Sequence, residues 1–282
     1  MGKILVTGSS GFIGKSLTRK LSELGYEVIG LSSANGDICD KNTLLNYREE
    51  GIDYLFHLAG KCYVPASWSD TQSFYDTNVI GTLNVLEFCK SLNIGITYLS
   101  AYVYGIPEKL PITETDKINP NNPYAHSKFL AEQICEFYSR EFNVKTVVFR
   151  AFNVYGRNQR DTFLIPKIIH QARNEKSIEV MDLYPKRDYI YIDDLIDAMV
   201  LSINKKSNFS VYNIGSGTSI SVLEVIQIIQ TALGTKKAVN STDKARKNEL
   251  SDVVADITKA KTELGWFPKI DFVEGINRLI NL

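Results

Sequence analysis

The sequence contains few of the residues that bind metals, and those present are not spaced for a metal site. Its 282 residues include three histidines and four cysteines, and no two cysteines have the Cys-x-x-Cys spacing typical of zinc ligands. Scattered cysteines favour a protein whose thiols stay reduced in the cytoplasm. We therefore predict no metal, and we interpret most of the thiols as small buried hydrophobic groups. The cysteines are Cys39, Cys62, Cys89 and Cys135.

An excess of charge of either sign and long apolar runs are also missing. Lysine plus arginine equals aspartate plus glutamate at 32 each, and no basic block stands out, which argues against a nucleic-acid-binding protein. No apolar stretch approaches the length of a membrane span, and the first residues lack the length and cleavage site of a signal peptide. These absences predict a cytoplasmic globular protein that neither inserts into a membrane nor binds nucleic acid.

What the sequence does contain, over residues 1–150, is an alternation of short β-branched runs with longer segments of helical period. This alternation is typical of βα units that form a parallel sheet. The predicted strands are Lys3–Val6, Glu27–Leu31, Tyr54–His57, Ile96–Leu99, Lys145–Phe149 and Val211–Ile214. The predicted helices are Phe12–Leu24, Lys41–Glu49, Thr71–Leu92, Tyr124–Phe142, Phe163–Asn174, Asp193–Ile203, Val222–Leu233 and Phe272–Ile280.

These elements predict an α/β fold: a Rossmann-type doubly wound parallel sheet with a smaller α/β C-terminal region for substrate. Residues 1–160 are predicted to bind a dinucleotide, with 187–214 returning to that domain. Residues 161–186 and 215–282 are predicted to form the substrate-binding region.

A glycine-rich turn follows the first predicted strand and opens the first predicted helix. Glycines let the backbone approach a pyrophosphate, and the amino terminus of the helix supplies free N–H groups and a favourable dipole. In this context the turn predicts dinucleotide binding. The spacing is Gly-x-x-Gly-x-x-Gly, and the segment contains Gly8, Ser10, Gly11, Phe12, Ile13 and Gly14.

A second motif places Tyr124 and Lys128 four residues apart on a predicted helix, so that both side chains leave the same face. A cation beside a phenol favours the phenolate, which brings the tyrosine pKa toward the range used in general acid–base catalysis. The spacing alone is weak evidence, because a chain with 15 tyrosines contains about one such pair by chance.

Together the glycine spacing and this pair resemble the extended branch of the short-chain dehydrogenase/reductase superfamily, which includes the NAD(P)-dependent nucleotide-sugar epimerases, dehydratases and reductases. Further segments resemble that family's signatures in the family's order. They are Asp37–Ile38, His57–Gly60, Asn78–Thr82, Ser100–Gly105, Arg150–Gly156, Arg187–Asp194 and Leu264–Pro268. The resemblance therefore covers nearly the whole chain.

The resemblance implies roles for individual residues. Ser100 would hydrogen-bond the reacting sugar oxygen, Tyr124 would carry the proton, and Lys128 would lower the tyrosine pKa and hold the nicotinamide ribose. The implied cofactor-binding residues are Gly8, Ser10, Gly11, Phe12, Ile13, Gly14, Ser32, Ser33, Asp37, Ile38, Leu58, Ala59, Gly60, Tyr124 and Lys128.

Two positions after Ser100 narrow the reaction that the resemblance implies. Dehydratases of the family have an aspartate and a glutamate there, whereas this sequence has Ala101 and Tyr102. Without that acid and base, 4,6-dehydration is not expected, and 4-epimerisation or reduction of a 4-keto sugar remains.

The end of the second predicted strand bears on the cofactor. Relatives specific for NAD carry an acidic residue there, whereas this strand is followed by Ser32 and Ser33, with no carboxylate before Asp37. We therefore favour NADP(H) over NAD(H), although small hydroxyl residues are also common in turns. Because a reductase consumes its cofactor in each turnover, this favours an NADPH-dependent reductase of an NDP-4-keto-6-deoxyhexose that supplies polysaccharide biosynthesis.

The substrate side is less well defined. Asn153, Arg187 and Arg246 match positions where relatives contact the substrate diphosphate, and the arginine fork suits phosphate oxygens. Arg187 could instead pair with Asp188 or another carboxylate, and Arg246 could lie in a solvated basic loop. Tyr102 and Tyr184 could shape the sugar pocket or serve as ordinary core or surface aromatics.

Two other functions are also compatible with the sequence. The first is a UDP-hexose 4-epimerase with tightly held NAD, and the second is a non-catalytic NAD(P)-binding sensor or scaffold. Relatives commonly form homodimers through two helices, which here would be Thr71–Leu92 and Tyr124–Phe142. A homodimer is therefore expected, with a nucleotide sugar as the ligand.

Overall fold

The structure is a computed structural model that describes residues 2–205, 207–242 and 249–281. Its strands are β1 (Lys3–Thr7), β2 (Glu27–Leu31), β3 (Tyr54–His57), β4 (Gly95–Ser100), β5 (Thr146–Ala151), β6 (Asn153–Tyr155), β7 (Ser177–Val180), β8 (Lys186–Arg187), β9 (Tyr189–Tyr191), β10 (Phe209–Ile214), β11 (Ile220–Ser221) and β12 (Ala238–Ser241). Its α-helices are α1 (Phe12–Glu23), α2 (Lys41–Leu45), α3 (Val64–Ser69), α4 (Thr71–Tyr75), α5 (Gly81–Leu92), α6 (Pro123–Phe142), α7 (Leu164–Asn174), α8 (Ile192–Ser202), α9 (Val222–Leu233), α10 (Thr258–Leu264) and α11 (Phe272–Ile280).

A six-stranded sheet in the order β10-β5-β4-β3-β1-β2 forms the centre of the molecule. All neighbouring strands in it are parallel. The winding direction reverses between β1 and β3, because the chain first moves outward to β2 and then returns past β1. Open α/β sheets bind ligands in the crevice at the carboxyl ends of the strands where this reversal occurs. The topology therefore places the crevice at the ends of β1 and β3.

Helices cover both faces of the sheet, as the predicted doubly wound fold requires. Along β1, Ile4 and Val6 join the core beneath α1 and α8, while Leu5 joins the core beneath α2, α5 and α6. Successive side chains of a strand point to opposite faces, so a strand buried on both sides is apolar throughout. The short apolar runs of the sequence are thus explained by burial on both sides, and the α/β prediction is confirmed.

Beyond the main sheet, three two-stranded sheets pair β7 with β12, β8 with β11, and β6 with β9. Asp188, which is fully buried, joins these parts by accepting hydrogen bonds from the backbone N–H groups of Ser216, Gly217 and Ala255. The proposed division of the chain into two regions near residue 160 remains a prediction.

The segment Leu264–Pro268 and the two residues after it are held to α8 by hydrogen bonds. The indole N–H of Trp266 donates to the Asp194 carbonyl at 2.9 Å, and the Asp194 carboxylate accepts from the backbone N–H groups of Lys269 and Ile270 at 3.0 Å each. Burial raises the pKa of Asp194, although both backbone hydrogen bonds oppose that shift. These hydrogen bonds therefore hold the segment between α10 and α11 against α8.

The predicted elements are largely found, with three kinds of difference. The single helix predicted over Thr71–Leu92 consists of α4, a π-helix at Asp76–Ile80, and α5. The sequence did not predict the π-helix, because the hydrophobic period does not distinguish one π-helical turn from an α-helical turn. The helix predicted over Lys41–Glu49 ends at Leu45. Elements too short to show a period were not predicted: α3, α10, β6, β7, β8, β9, β11 and β12. No helix among the described residues is both long and apolar enough to cross a bilayer.

Candidate active site

The glycine-rich turn lies where the topology places the crevice. Gly8 has φ +71°, and a Cβ there would come within 2.7 Å of the Ala59 backbone nitrogen, so the ends of β1 and β3 touch at this point. Gly11 is the N-cap of α1, and no side chain caps that helix. The first N–H groups of α1 are therefore available to an anion, which fits the pyrophosphate of a dinucleotide.

We expect Gly14→Ala to abolish cofactor retention, since a Cβ at Gly14 would lie 2.1 Å from the Gly8 carbonyl oxygen. Because the Gly8 oxygen belongs to the backbone, the alanine could be accommodated only if the glycine-rich turn moved. Gly11→Ala is a milder change in the same turn, because its Cβ would lie 3.1 Å from the same oxygen. The nucleotide released from each purified variant by denaturation measures the effect. Wild-type nucleotide content in Gly14→Ala would contradict the prediction.

The segment after β2 folds into a turn of its own. The Oγ of Ser32 donates to Asn35 Oδ1 at 2.8 Å, and the Ser32 N–H donates to the same oxygen at 3.2 Å. Ser33 is exposed, and the Asp37 carboxylate accepts from the backbone N–H of Cys39 at 2.9 Å. The hydroxyl proton of Ser32 is thus already used within the turn. Ile38 is buried and packs against Gly81 of α5.

The three predicted catalytic residues come from β4 and α6. Ser100 is the last residue of β4, and Tyr124 and Lys128 lie in the first turns of α6, which Asn122 caps by accepting from the Ala125 N–H at 2.9 Å. The Tyr124 ring packs edge-on against Phe74 with 6.4 Å between centroids. Pro123 at the first helical turn fixes where the helix begins.

The Lys128 ammonium is buried without a hydrogen-bond partner among the described residues. Its Nζ lies 4.2 Å from the centroid of the Tyr98 ring, and a Cβ on Gly60 would lie 3.8 Å from the same atom. The side chain is 5% exposed, and burial lowers the pKa of Lys128 from 10.5 to about 8. A buried cation with unused donors, beside the loop after β3, fits the ribose hydroxyls of a nicotinamide nucleotide.

The Tyr124 phenol differs from the sequence-based expectation. Burial raises the pKa of Tyr124, with a smaller contribution in the same direction from Cys62, and Lys128 is not among the causes. The physical reason is that the Lys128 ammonium lies over the Tyr98 ring and is itself strongly desolvated. In this structure Tyr124 is therefore a protonated phenol at neutral pH, and its hydroxyl has no hydrogen-bond partner within the described ranges.

The structure places Asn78 beside the candidate site, where the sequence had assigned it no role. It lies in the π-helix and is 1% exposed. Its Oδ1 accepts from the Lys61 N–H at 2.9 Å, and its Nδ2 donates to the Lys61 carbonyl at 3.1 Å and to Ser127 Oγ at 2.9 Å. Asn78 thus joins the loop after β3 to α6 next to Lys128. The Asn78–Thr82 motif was the sequence signal that could have identified this residue. The π-helix that orients its side chain cannot be recognised from the hydrophobic pattern.

Glu132 was missed as well. It follows Tyr124 and Lys128 at intervals of four residues on α6, so the three side chains share one helix face. It is 3% exposed, accepts a short hydrogen bond from Ser100 Oγ, and pairs with Arg150, whose Nη2 lies 2.7 Å from Oε2. The spacing of four residues is visible in the sequence. The contacts of Glu132 with Ser100 and Arg150 are not, because those residues lie on other elements.

The predicted substrate residues are engaged with the protein itself. Asn153 Nδ2 donates to the Asp188 carbonyl at 3.1 Å. Arg187 pairs with Glu249 and not with Asp188, and it also donates to the Leu250 carbonyl at 2.7 Å. Arg246 lies outside the described residues. A direct role of these three in binding substrate remains a prediction.

The aromatic candidates for the sugar pocket differ in burial. The Tyr102 hydroxyl donates to the Gly105 carbonyl at 2.6 Å, and its ring packs edge-on against Phe152. Tyr184 is 75% exposed. Like Ala101, which is buried, Tyr102 offers no carboxylate beside Ser100, which agrees with the exclusion of dehydration.

His57, at the end of β3, is enclosed by other side chains, and two of the four cysteines are buried. His57 is buried between Thr7 Oγ1 at 2.8 Å and Thr82 Oγ1 at 3.0 Å, and burial lowers the pKa of His57 to about 3, so it is a neutral structural residue. Cys89 and Cys135 are buried as expected, whereas Cys62 is exposed in the crevice.

Comparison with known proteins extends these observations. Residues 4–215 match the model of the NAD dependent epimerase/dehydratase family. A putative UDP-glucose 4-epimerase of Methanocaldococcus jannaschii is 33% identical over 99% of this chain and 97% of its own length. More than two thirds of the chain is thus covered by both matches.

Two solved structures have the same fold over nearly the whole chain. The UDP-glucose 4-epimerase of Thermotoga maritima with UDP-glucose has a TM-score of 0.92 at 30% identity, with 99% of this chain and 97% of that chain covered. RMD from Pseudomonas aeruginosa complexed with NADPH has a TM-score of 0.92 at 28% identity, with 100% and 98% covered. The chain belongs to the NAD dependent epimerase/dehydratase family, within the extended short-chain dehydrogenases/reductases, and is an NAD(P)-dependent nucleotide-sugar enzyme.

Proposed function

We propose that this protein is a nucleotide-sugar 4-epimerase that holds NAD and acts on a UDP-hexose. The observation that carries the proposal is a Ser100, Tyr124 and Lys128 site without the acid–base pair of a dehydratase, in a chain similar over its full length to UDP-glucose 4-epimerases. The sequence by itself favoured reduction of a 4-keto sugar. The similarity to two 4-epimerases changes that preference.

The chemistry follows from the groups at the strand ends. A bound nicotinamide supplies an acceptor and donor of hydride for the sugar carbon. Tyr124 is protonated in this structure, so it would first have to lose its proton; as a phenolate it would take the proton of the sugar hydroxyl when the carbon is oxidised and return it when the carbon is reduced on the other face. Lys128 would hold the ribose hydroxyls, and its positive charge on the same helix face would favour the phenolate, although in this structure it does not lower the pKa of Tyr124.

NAD is proposed as the cofactor because of the turn after β2. The Ser32 hydroxyl, which would have to donate to a 2′-phosphate of NADP, already donates to Asn35. No arginine lies at positions 30–37 to bind that phosphate instead. An epimerase oxidises and reduces the same sugar, so one NAD can serve many turnovers without exchange.

The experiment that tests this function identifies the nucleotide that purifies with the protein and then measures turnover. We expect stoichiometric NAD, interconversion of UDP-glucose and UDP-galactose, and no net oxidation of NADPH in the presence of an NDP-4-keto-6-deoxyhexose. Stoichiometric NADPH oxidation with the keto sugar, without epimerisation, would instead establish the reductase. That second candidate is favoured by the NADPH complex of the similar RMD and by the absence of a carboxylate directly after β2.

We also propose a homodimer formed through α5 and α6. Among the apolar residues of these two helices, Leu86 and Phe88 are buried within the chain, whereas Phe137 is 45% exposed. Phe142 is exposed beside it, with Lys90 Nζ 4.2 Å from its ring centroid. Two exposed aromatics on α6 suit a second copy, and sedimentation velocity measures the association.

A further inference from the structure

The buried charge of Lys128 has no counter-ion in contact within residues 2–205, 207–242 and 249–281. The carboxylate that the helical spacing offers is Glu132, four residues further along the same face of α6. Glu132 instead accepts from Arg150 Nε and Nη2 at 3.0 and 2.7 Å, and from Ser100 Oγ in a short hydrogen bond. Arg150 and Ser100 thus hold this carboxylate, and the N–H donors of Lys128 are left to other groups.

The face of the Tyr98 ring lies where the counter-ion is missing. Lys128 Nζ is 4.2 Å from the centroid of that ring, and an aromatic ring attracts a cation within about 6 Å of its centroid. Tyr98 is 0% exposed, so the attraction is not weakened by water around the ring. The ring stabilises the charge through its quadrupole and, unlike a carboxylate, leaves most N–H donors of the ammonium free for a ligand.

The position of the ring is fixed by β3. His57 lies opposite Tyr98 in the register of β3 and β4, with 5.6 Å between the ring centroids. Hydrogen bonds to Thr7 Oγ1 at 2.8 Å and Thr82 Oγ1 at 3.0 Å hold His57 in turn. Burial lowers the pKa of His57 to about 3, so this imidazole is neutral and does not repel the Lys128 charge. The ring therefore has a fixed place beside the ammonium.

We propose that Tyr98 is a positioning residue, which stabilises the Lys128 ammonium and keeps its N–H donors directed at the crevice, where they bind the ribose hydroxyls of the nicotinamide nucleotide. The crevice adjoins Nζ, because a Cβ on Gly60, in the loop after β3, would lie 3.8 Å from that atom. This inference rests on the role proposed for Lys128, and it is independent of whether the sugar is epimerised or reduced. An aliphatic residue at position 98 would leave a buried charge with neither a carboxylate nor a ring beside it.

Tyr98→Leu tests the proposal through cofactor affinity, with Tyr98→Phe as the matched control. Phenylalanine keeps the ring and removes only a hydroxyl that makes no hydrogen bond with the described residues. In calorimetric titrations of the nucleotide-stripped protein at pH 7, we expect Tyr98→Phe to bind NAD within about twofold of the wild type, and Tyr98→Leu to bind it about 10-fold more weakly. The same ratio is expected with NADPH, since both nucleotides carry the nicotinamide ribose. Equal affinities of the two variants would overturn the proposal.

The pH dependence of this affinity separates positioning from a cavity in the core. Burial lowers the pKa of Lys128 to about 8, so NAD affinity of the wild type and of Tyr98→Phe should begin to fall near pH 8, where the ammonium loses its proton. The ring favours the charged form, so its loss lowers that pKa further and the fall should begin about one pH unit lower in Tyr98→Leu. A cavity alone weakens binding equally at every pH, and parallel curves would count against the proposal. The other titratable groups around Lys128 are unchanged in both variants: His57, Cys62, Tyr124, Glu132 and Cys135.

Nuclear magnetic resonance tests the contact without cofactor or turnover. In protein labelled with 13C-lysine, the Lys128 Hε signal, assigned by its absence from Lys128→Met, should be shifted upfield by the ring current in the wild type and in Tyr98→Phe but not in Tyr98→Leu. An unshifted signal in the wild type would show that the ammonium does not lie over the ring. If Tyr98→Leu does not fold, Tyr98→Met replaces it, because the flexible thioether adapts to the space without supplying a π face. Failure of the proposed function would appear separately, as a wild-type protein that epimerises no sugar nucleotide.

Discussion

Replacing Tyr124 with phenylalanine is expected to lower kcat by about 100- to 10,000-fold, the range found when a general acid–base group is removed. In the proposed mechanism Tyr124 takes up the proton that the sugar oxygen loses and later returns it, and the other phenol of α6, Tyr138, lies in the last turns of that helix. The variant keeps the ring that packs against Phe74. Nucleotide content and the unfolding transition should therefore match those of the wild type.

The same substitution at Tyr54 provides the control. The Tyr54 hydroxyl bonds Thr97 Oγ1 at 2.8 Å, at the first residue of β3 and therefore at the opposite end of the sheet from the crevice. Tyr54→Phe should lower the free energy of unfolding by about 1 kcal/mol and leave kcat unchanged. Turnover by Tyr124→Phe equal to that of Tyr54→Phe would remove Tyr124 from the catalytic set.

Replacing Lys128 with methionine is expected to destroy activity and to stabilise the nucleotide-stripped protein. Burial lowers the pKa of Lys128 from 10.5 to about 8, so below pH 8 the charged group destabilises the folded state by roughly 3 kcal/mol. Methionine fills a similar volume beside Tyr98 without that charge. At pH 7 we expect a higher free energy of unfolding, together with a loss of kcat of about 100-fold or more.

The pH dependence of the free energy of unfolding shows whether the Lys128 charge causes this difference in stability. Between about pH 8 and 10.5 the unfolded chain binds the Lys128 proton and the folded protein does not, so stability of the wild type rises with pH in this window relative to Lys128→Met. Denaturant unfolding at pH 7 and pH 9.5 measures the difference. Lys176→Met, at an exposed position, should show no such change, and a Lys128→Met variant less stable than wild type at pH 7 would contradict the prediction.

Several features were determined by the sequence because they depend on local patterns. Runs of β-branched residues predicted each strand of the main sheet to within a few residues, since burial on both faces requires continuous apolar sequence. The glycine spacing predicted the turn after β1, because only glycine tolerates the contact of Gly14 with the Gly8 carbonyl. The Tyr124 and Lys128 spacing predicted a shared helix face.

Other features were decided by the tertiary structure, because they depend on which distant groups meet. The direction of the Lys128 ammonium depends on Tyr98 from a neighbouring strand, and its pKa depends on how completely the surrounding elements exclude water. Glu132 reaches Ser100 across 32 residues of sequence only because α6 packs along β4 and β5 in one register. The sequence by itself determined which residues line the strand ends, and only the packing around them decided which are charged and which way their protons point.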